Sequence, residues 1–144
     1  MRLLPEIVDS AASIEAIRRD IHAHPELRFE EIRTAELVAE TLTRWGIPIV
    51  RGLGKTGVVG RIDGDAGPGK MIGLRADMDA LPLQEKNAFA HASQHPGKMH
   101  ACGHDGHTAT CWALHITFQT TATLLARSFL FFSRQKKGAA ALAK

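Results

Sequence analysis

The chain has few cysteines and no long apolar run, and each shortage excludes a class of protein. Only Cys102 and Cys111 occur among its 144 residues, which argues against a disulfide framework and favours reduced thiols. No apolar run reaches the roughly 18 residues that a membrane-spanning helix needs. The start also lacks the basic and then apolar segments of an export signal. We therefore expect a cytoplasmic protein with no membrane partner.

Acidic residues are absent from the end of the chain. Residues 111–144 contain five basic side chains and no acidic one, whereas residues 1–110 contain 13 basic and 15 acidic ones. The net charge of +3 is therefore a property of this tail. The tail does not show the interleaved basic and aromatic residues of a nucleic-acid-binding module, so we expect no nucleic-acid partner.

The first 110 residues show alternating helix and strand patterns. The whole chain is 44% hydrophobic, which provides the core of one domain but not of two at this length. The spacing predicts a first helix capped by Ser10 or Ser13 and ended by Pro25. A second helix is predicted over residues 32–45 and is closed by Gly46. Three strands are predicted, at 47–50, 57–62 and 71–76.

Two histidines, His22 and His24, lie at the end of the first predicted helix. They could be metal ligands. Alternatively, they could cap the helix or contact a metal ligand without binding the metal themselves. Because an imidazole interacts well with the dipole at a helix C-terminus, we favour the second interpretation. We do not count them among the metal ligands.

The segment 98–109, KMHACGHDGHTA, concentrates side chains that bind metals. Cys102, His104, Asp105 and His107 lie within six residues, shortly after His100. Thiolate and imidazole are preferred ligands of borderline-soft divalent ions, and a spacing of two lets both reach one ion. The segment is therefore a candidate metal site. The alternative is a polar loop that is only rich in histidine.

Two acidic residues follow a short apolar strand. The run MIGLRA at 71–76 leads directly into Asp77, Met78 and Asp79. Because ligands bind beyond the carboxyl ends of strands in open α/β sheets, both acids are well placed for a site. The alternative is a solvated acidic turn.

Three segments carry a resemblance to a known family. They are RRDIHAHPEL at 18–27, LRADMDALPLQE at 74–85 and MHACGHDGHTA at 99–109. In this order they resemble the signatures of the M20 metallopeptidases, in particular the amidohydrolase branch that includes hippurate hydrolase. The resemblance covers residues 1–110. It implies an α/β fold, the incomplete N-terminal part of a zinc-peptidase-like catalytic domain with a mixed sheet flanked by helices.

The resemblance also implies a site. Cys102 and His104 match positions that bind a pair of divalent ions, manganese or zinc. Asp79 matches the acid of the catalytic centre that orients a histidine ligand. Asp77 stands where other branches keep a histidine ligand, so its role is open, and His107 is expected to line the site.

The implied reaction is hydrolysis of the amide bond of an N-acyl amino acid, the small-molecule substrate. In this chemistry the ions activate a water, and a glutamate moves the proton. That glutamate is expected in a motif like FQPAEEG, which is missing from the sequence. Also missing are two later histidine ligands and the smaller domain through which intact relatives form homodimers.

Residues 111–144 show neither an amphipathic-helix pattern nor a strand pattern, and they hold five of the eight aromatic residues. Codons can be chosen for 111–118 and 126–138 that read LGAAYHL and PVVFIFQPAEEG at one shared offset. We therefore interpret 111–144 as a tail outside the family, produced by a frameshift near Thr110 or Cys111. Its run Phe129–Phe132 is expected either to pack on the incomplete sheet or to promote aggregation.

Two functions remain open at this point. The chain is a metal-dependent amidohydrolase by descent, or it is a truncated and inactive fragment. The fragment would retain at most divalent-metal binding through Cys102 and His104, because a catalytic zinc usually needs three protein ligands.

Overall fold

The computed structural model describes residues 5–64, 71–120 and 127–133. Of the predicted tail 111–144, residues 121–126 and 134–144 lie outside the described residues. Within the described ranges the chain forms three helices and four strands. In chain order they are α1 (Pro5–Ala23), α2 (Ile32–Arg44), β1 (Ile49–Leu53), β2 (Gly57–Asp63), β3 (Met71–Asp77), α3 (His104–Thr120) and β4 (Arg127–Ser133).

The four strands form one mixed sheet in the order β1-β2-β4-β3. β2 pairs antiparallel with β1 and with β4, whereas β4 pairs parallel with β3. A parallel pair needs a crossover connection, and α3 lies in the chain between β3 and β4. The expected α/β fold with a mixed sheet and flanking helices is confirmed.

The core lies between the sheet and the helices. α2 packs against β1 and β2, whereas α3 packs against β3 and α1. α2 turns one face inward, because its apolar residues recur at helical spacing. The largest fully buried apolar side chains are Trp112, Phe132, Ile21, Leu42, Met78, Val38 and Val58.

The described start of α1 differs from the predicted capping positions. The helix is already present at Pro5, and Ser10 and Ser13 lie inside it. Their hydroxyls donate to the carbonyl oxygens of Glu6, at 2.8 Å, and of Ser10, at 2.7 Å. The prediction that either serine caps the helix is therefore wrong, because both satisfy their hydroxyls within the helix instead.

The prediction that residues 111–144 lack helix and strand patterns is also wrong for the part that the structure describes. α3 continues through Thr110 to Thr120, and Arg127–Ser133 forms β4 between β2 and β3. Phe132 is fully buried, and its ring centroid lies 6.3 Å from that of Trp112. Of the two outcomes expected for Phe129–Phe132, the structure shows packing on the sheet.

Within the described residues, none of the helices has both the length and the apolar character needed to cross a membrane.

Candidate metal centre

Backbone hydrogen bonds bring the three motif segments, 18–27, 74–85 and 99–109, together. Ala80, just after β3, donates its amide hydrogen to the Glu26 carbonyl oxygen at 2.8 Å. The next residue, Leu81, exchanges two backbone hydrogen bonds with Met99, at 2.9 and 3.0 Å. This pair closes the loop 82–98 at its base. The start of α3 therefore lies beside the carboxyl end of β3, where ligands bind in open α/β sheets.

Gly103 sets the direction of the chain just before α3. Its φ is +79°, in the left-handed region that side chains with a Cβ rarely adopt. A Cβ added there would meet no atom within 4 Å, so the backbone conformation rather than space requires glycine. The Gly103 carbonyl then accepts the amide hydrogen of His107 at 3.1 Å, which begins the helix at His104.

His104 and Asp79 are in direct contact. His104 Nδ1 lies 2.8 Å from the Asp79 carbonyl oxygen and 3.1 Å from its carboxylate Oδ1. A carbonyl oxygen only accepts, so Nδ1 must carry the hydrogen. In the neutral ring the lone pair is then on Nε2, which is the nitrogen available to a metal. Both side chains are largely buried, which holds this geometry in place.

Two further side chains lie close to His104. Potential ligand atoms of Asp77, His104 and His107 all lie within 4.8 Å of one another. The rings of His104 and His107 are 5.1 Å apart between centroids. Asp77 ends β3, and its Oδ1 accepts a hydrogen bond from Arg75 at 2.7 Å. The structure thus brings Asp77, whose role the resemblance leaves open, close to His107.

Cys102 is an exposed free thiol that lies before the start of α3. It does not belong to the group of three potential ligands found in the described part of the chain. The pairing of Cys102 with His104 on one ion therefore stays a prediction.

A second polar cluster lies at the C-terminal end of α1 and includes Asp105, the neighbour of His104 in the chain. The His22 ring bridges two buried carboxylates, with Nδ1 2.9 Å from Asp105 Oδ2 and Nε2 3.2 Å from Glu85 Oε1. Arg18 Nε lies 3.1 Å from the same Asp105 oxygen. Asp105 follows His104 in α3, so this cluster ties α1 and the loop to the helix that carries His104. Contacts between residues so distant in the chain leave no local pattern, and sequence reasoning missed them.

Glu85 shows how this cluster is held together. Burial by itself would raise the pKa of Glu85. Hydrogen bonds from the Asn87 amide at 2.9 Å, the Ser93 backbone amide at 2.5 Å and His22 outweigh this effect. The pKa of Glu85 is therefore held below its ordinary value.

Among the histidines whose side chains the structure describes, His100 is buried and makes no hydrogen bond. Its ring is buried, and neither ring nitrogen has a partner among the described residues. Burial lowers the pKa of His100 to about 4, because the charged ring loses its hydration.

His24 also forms a hydrogen bond near the end of α1. Its Nδ1 donates to the Asp20 carbonyl oxygen at 2.8 Å in the last turn of the helix. Of the two histidines at this helix end, His24 therefore bonds to the backbone of α1, whereas His22 contacts Asp105 in the helix that carries His104.

The comparisons with known proteins agree with this arrangement. Residues 73–131 match the profile of Peptidase family M20/M25/M40. Hippurate hydrolase of Campylobacter jejuni is 51% identical over 110 residues, which are 76% of this chain and 28% of that protein. N-acyl-L-amino acid amidohydrolase of Geobacillus stearothermophilus is 51% identical over 108 residues, 75% of this chain and 28% of that protein.

A solved structure gives the same result. The YXEP protein of Bacillus subtilis, a dinuclear metal-binding peptidase of the M20 family, is 38% identical and superposes with a TM-score of 0.80. The match covers 87% of this chain and 35% of that one. The fold and the similarity define a metallopeptidase-type domain. The chain belongs, over the part that matches, to the M20 family.

The extent of the match is also informative. The chain spans about 28% of the length of the two curated relatives. The profile match extends to residue 131, past the domain boundary predicted at residue 110. The division into 1–110 and 111–144 stays a prediction.

Proposed function

We propose that this chain derives from a metal-dependent amidohydrolase that cleaves the amide bond of N-acyl amino acids such as hippurate. One observation carries the proposal. Asp79 holds the His104 ring with Nε2 available to a metal, in a chain that is 51% identical to two amidohydrolases over 110 and 108 residues.

The donor set fits a divalent ion, for which we propose manganese or zinc. Cys102 and His104 are the proposed ligands, and Asp79 is the positioning residue for His104. When bound, a divalent ion supplies an activated water and polarises the scissile carbonyl group. Asp79 fixes the tautomer and direction of the His104 ring, because its two oxygen contacts both fall on Nδ1.

A second candidate function is that of a noncatalytic fragment which binds a divalent ion. It is favoured by the absence of a motif like FQPAEEG from the sequence. In this case the metal centre persists without the glutamate that general acid-base catalysis needs.

Hydrolysis of hippurate and of N-acetyl amino acids by the purified chain, with Mn²⁺ or Zn²⁺ added, separates the two candidates. The amidohydrolase proposal expects release of the free amino acid, abolished by Cys102→Ser or His104→Ala and unchanged by the control His95→Ala on the exposed loop. Absence of hydrolysis, with the metal still bound, would establish the fragment. Hydrolysis that survives His104→Ala would contradict the proposed centre.

We also propose a frame change near Thr110 or Cys111 as the origin of the tail. Alternate-frame reading gives PVVFIF where this chain has an apolar strand, β4. Thymine-rich codons encode apolar residues in more than one frame, so the strand character of β4 survives such a change. Sequencing of the coding DNA tests the proposal, which fails when no alternate frame there encodes QPAEEG. We further propose a cytoplasmic location, supported by two free thiols.

A further inference from the structure

His22 lies between two buried carboxylates that belong to different parts of the chain. Its ring contacts Asp105 of α3 through Nδ1 at 2.9 Å and Glu85 of the loop 82–98 through Nε2 at 3.2 Å. The side chains of His22, Asp105 and Glu85 are only 6%, 0% and 2% exposed. Because water has little access to these groups, their partners within the protein must satisfy them.

The two contacts determine how many hydrogens the His22 ring carries. An ionised carboxylate only accepts hydrogen bonds, whereas a neutral imidazole has one donor nitrogen and one acceptor nitrogen. A ring with an ionised carboxylate at each nitrogen must therefore donate from both nitrogens. Only the positively charged imidazolium form has two donors.

Independent contacts keep both carboxylates ionised. Glu85 accepts two further hydrogen bonds, and its pKa is held below its ordinary value. Asp105 Oδ2 lies 3.1 Å from Arg18 Nε, which belongs to a permanent cation. With an imidazolium at His22, the two negative charges meet two positive ones. A neutral ring would leave one buried negative charge without compensation, which is costly.

The other groups that the described structure places around the His22 ring are aromatic or basic. The ring centroids of Phe89 and His91, in the loop 82–98, lie 5.7 and 5.6 Å from that of His22. The His100 ring lies 6.2 Å away. The pKa of both His91 and His100 is lowered, with desolvation as the largest cause, so these neighbours stay uncharged at neutral pH. The charge that meets both carboxylates is therefore that of His22.

Glu85 connects His22 to the middle of the loop 82–98. Its Oε2 accepts the backbone amide hydrogen of Ser93 at 2.5 Å. The next residue, Gln94, donates its amide hydrogen to the Ala23 carbonyl oxygen at the end of α1, at 2.9 Å. The contact of His22 with Glu85 thus lies beside the point where the loop meets α1.

We propose that His22 is an imidazolium at neutral pH and acts as a pH-sensitive latch on the loop 82–98. With both ring hydrogens present, His22 holds the loop against α1 and α3, and loss of one ring hydrogen releases the loop. The latch requires neither a bound ion nor hydrolysis, so it goes beyond the proposed function and can fail independently of it.

Long-range ¹H–¹⁵N correlation spectra of the full chain at neutral pH test the charge of His22 without any substitution. We expect both ring nitrogens of His22 to show imidazolium resonances. In Glu85→Gln one anion is removed and the new amide can donate to Nε2, so His22 should carry a hydrogen on Nδ1 only. Glu40→Gln, at an exposed glutamate of α2, should leave the His22 resonances unchanged.

Amide hydrogen exchange tests the release of the loop. The pH is raised until the spectra show that His22 has lost one ring hydrogen. The protection factors of the Ser93 and Gln94 amides should then fall at least about tenfold. The Met99 amide, which donates to the Leu81 carbonyl oxygen at the base of the loop, should keep its protection.

Two variants separate the latch from a general effect of pH. His22→Ala should show the low protection of the Ser93 and Gln94 amides already at neutral pH. His24→Ala, in the same helix end, should behave like the unmodified chain. If His22→Ala does not fold, the ring spectra and the exchange measurement on the unmodified chain still decide the proposal.

Two results would overturn the latch. The first is a His22 ring that carries a hydrogen on only one nitrogen at neutral pH. The second is unchanged protection of the Ser93 and Gln94 amides after the His22 ring has lost a hydrogen.

Discussion

His22 and Asp105 are 83 residues apart in the chain and lie 2.9 Å apart between Nδ1 and Oδ2. The same ring contacts Glu85 through Nε2 at 3.2 Å. Removal of the His22 ring would leave two buried carboxylates without this partner. We expect His22→Ala to lower the free energy of unfolding by about 3–5 kcal/mol, measured by urea denaturation.

His24 provides the control for this prediction, because it lies two residues away and its ring is partly exposed. Its one hydrogen bond goes to the backbone of the same helix. We expect His24→Ala to cost less than about 1 kcal/mol. Equal losses of unfolding free energy in His22→Ala and His24→Ala would mean that the contacts of His22 with the two carboxylates do not stabilise the fold.

The depressed pKa of Glu85 predicts how stability depends on pH. A carboxyl group whose folded pKa lies below its unfolded value contributes stability above the unfolded value, here 4.5, and loses it as pH falls through the folded pKa. We expect the free energy of unfolding to fall between about pH 5 and pH 3. Glu85→Gln should make this fall smaller, whereas Glu40→Gln, on the exposed side of α2, should leave it unchanged. An identical pH profile for all three proteins would refute this assignment.

The two thiols differ in exposure and predict different reactivity. Cys102 is exposed, whereas burial raises the pKa of Cys111 to about 12. Because the thiolate is the reactive form, iodoacetamide at neutral pH should label Cys102 in the folded chain. Cys111 should react only after denaturation. Peptide mass spectrometry reads both sites, and rapid labelling of Cys111 in the folded chain would show that α3 is not packed as described.

Phe132 tests whether the tail belongs to the fold. Its side chain is fully buried and faces Trp112. We expect Phe132→Ala to lower the free energy of unfolding by about 3–5 kcal/mol. Urea denaturation monitored by tryptophan fluorescence measures this loss. Phe89→Ala, at a 41% exposed ring, should cost less than about 1 kcal/mol. A loss below that level for Phe132→Ala would place β4 outside the cooperative fold.

Local patterns in the sequence predicted the parts of the fold that depend on neighbouring residues. The apolar spacing of α2 and the glycine after it are examples, since Gly46 has a φ of +72°. The strand that leads into Asp77 extends over Met71–Asp77, one residue beyond its prediction. These features follow from helical periodicity and from the backbone freedom of glycine.

Features that depend on distant residues escaped prediction. The bridge of His22 to Asp105 forms only after α1 packs on α3. β4 escaped prediction because its residues show no strand pattern of their own and gain order from pairing with β2 and β3. The proximity of Asp77 to His107 likewise depends on the crossover from β3 to α3.

His104 is proposed to present Nε2 to a divalent ion while Asp79 holds Nδ1. Long-range ¹H–¹⁵N correlation spectra of the histidine rings, recorded with and without Zn²⁺, measure both nitrogen atoms. We expect His104 of the metal-free chain to carry its hydrogen on Nδ1 and Zn²⁺ to shift its Nε2 resonance, with the His95 ring unchanged. A hydrogen on Nε2 in the metal-free chain, or an Nε2 resonance that saturating Zn²⁺ does not move, would contradict it.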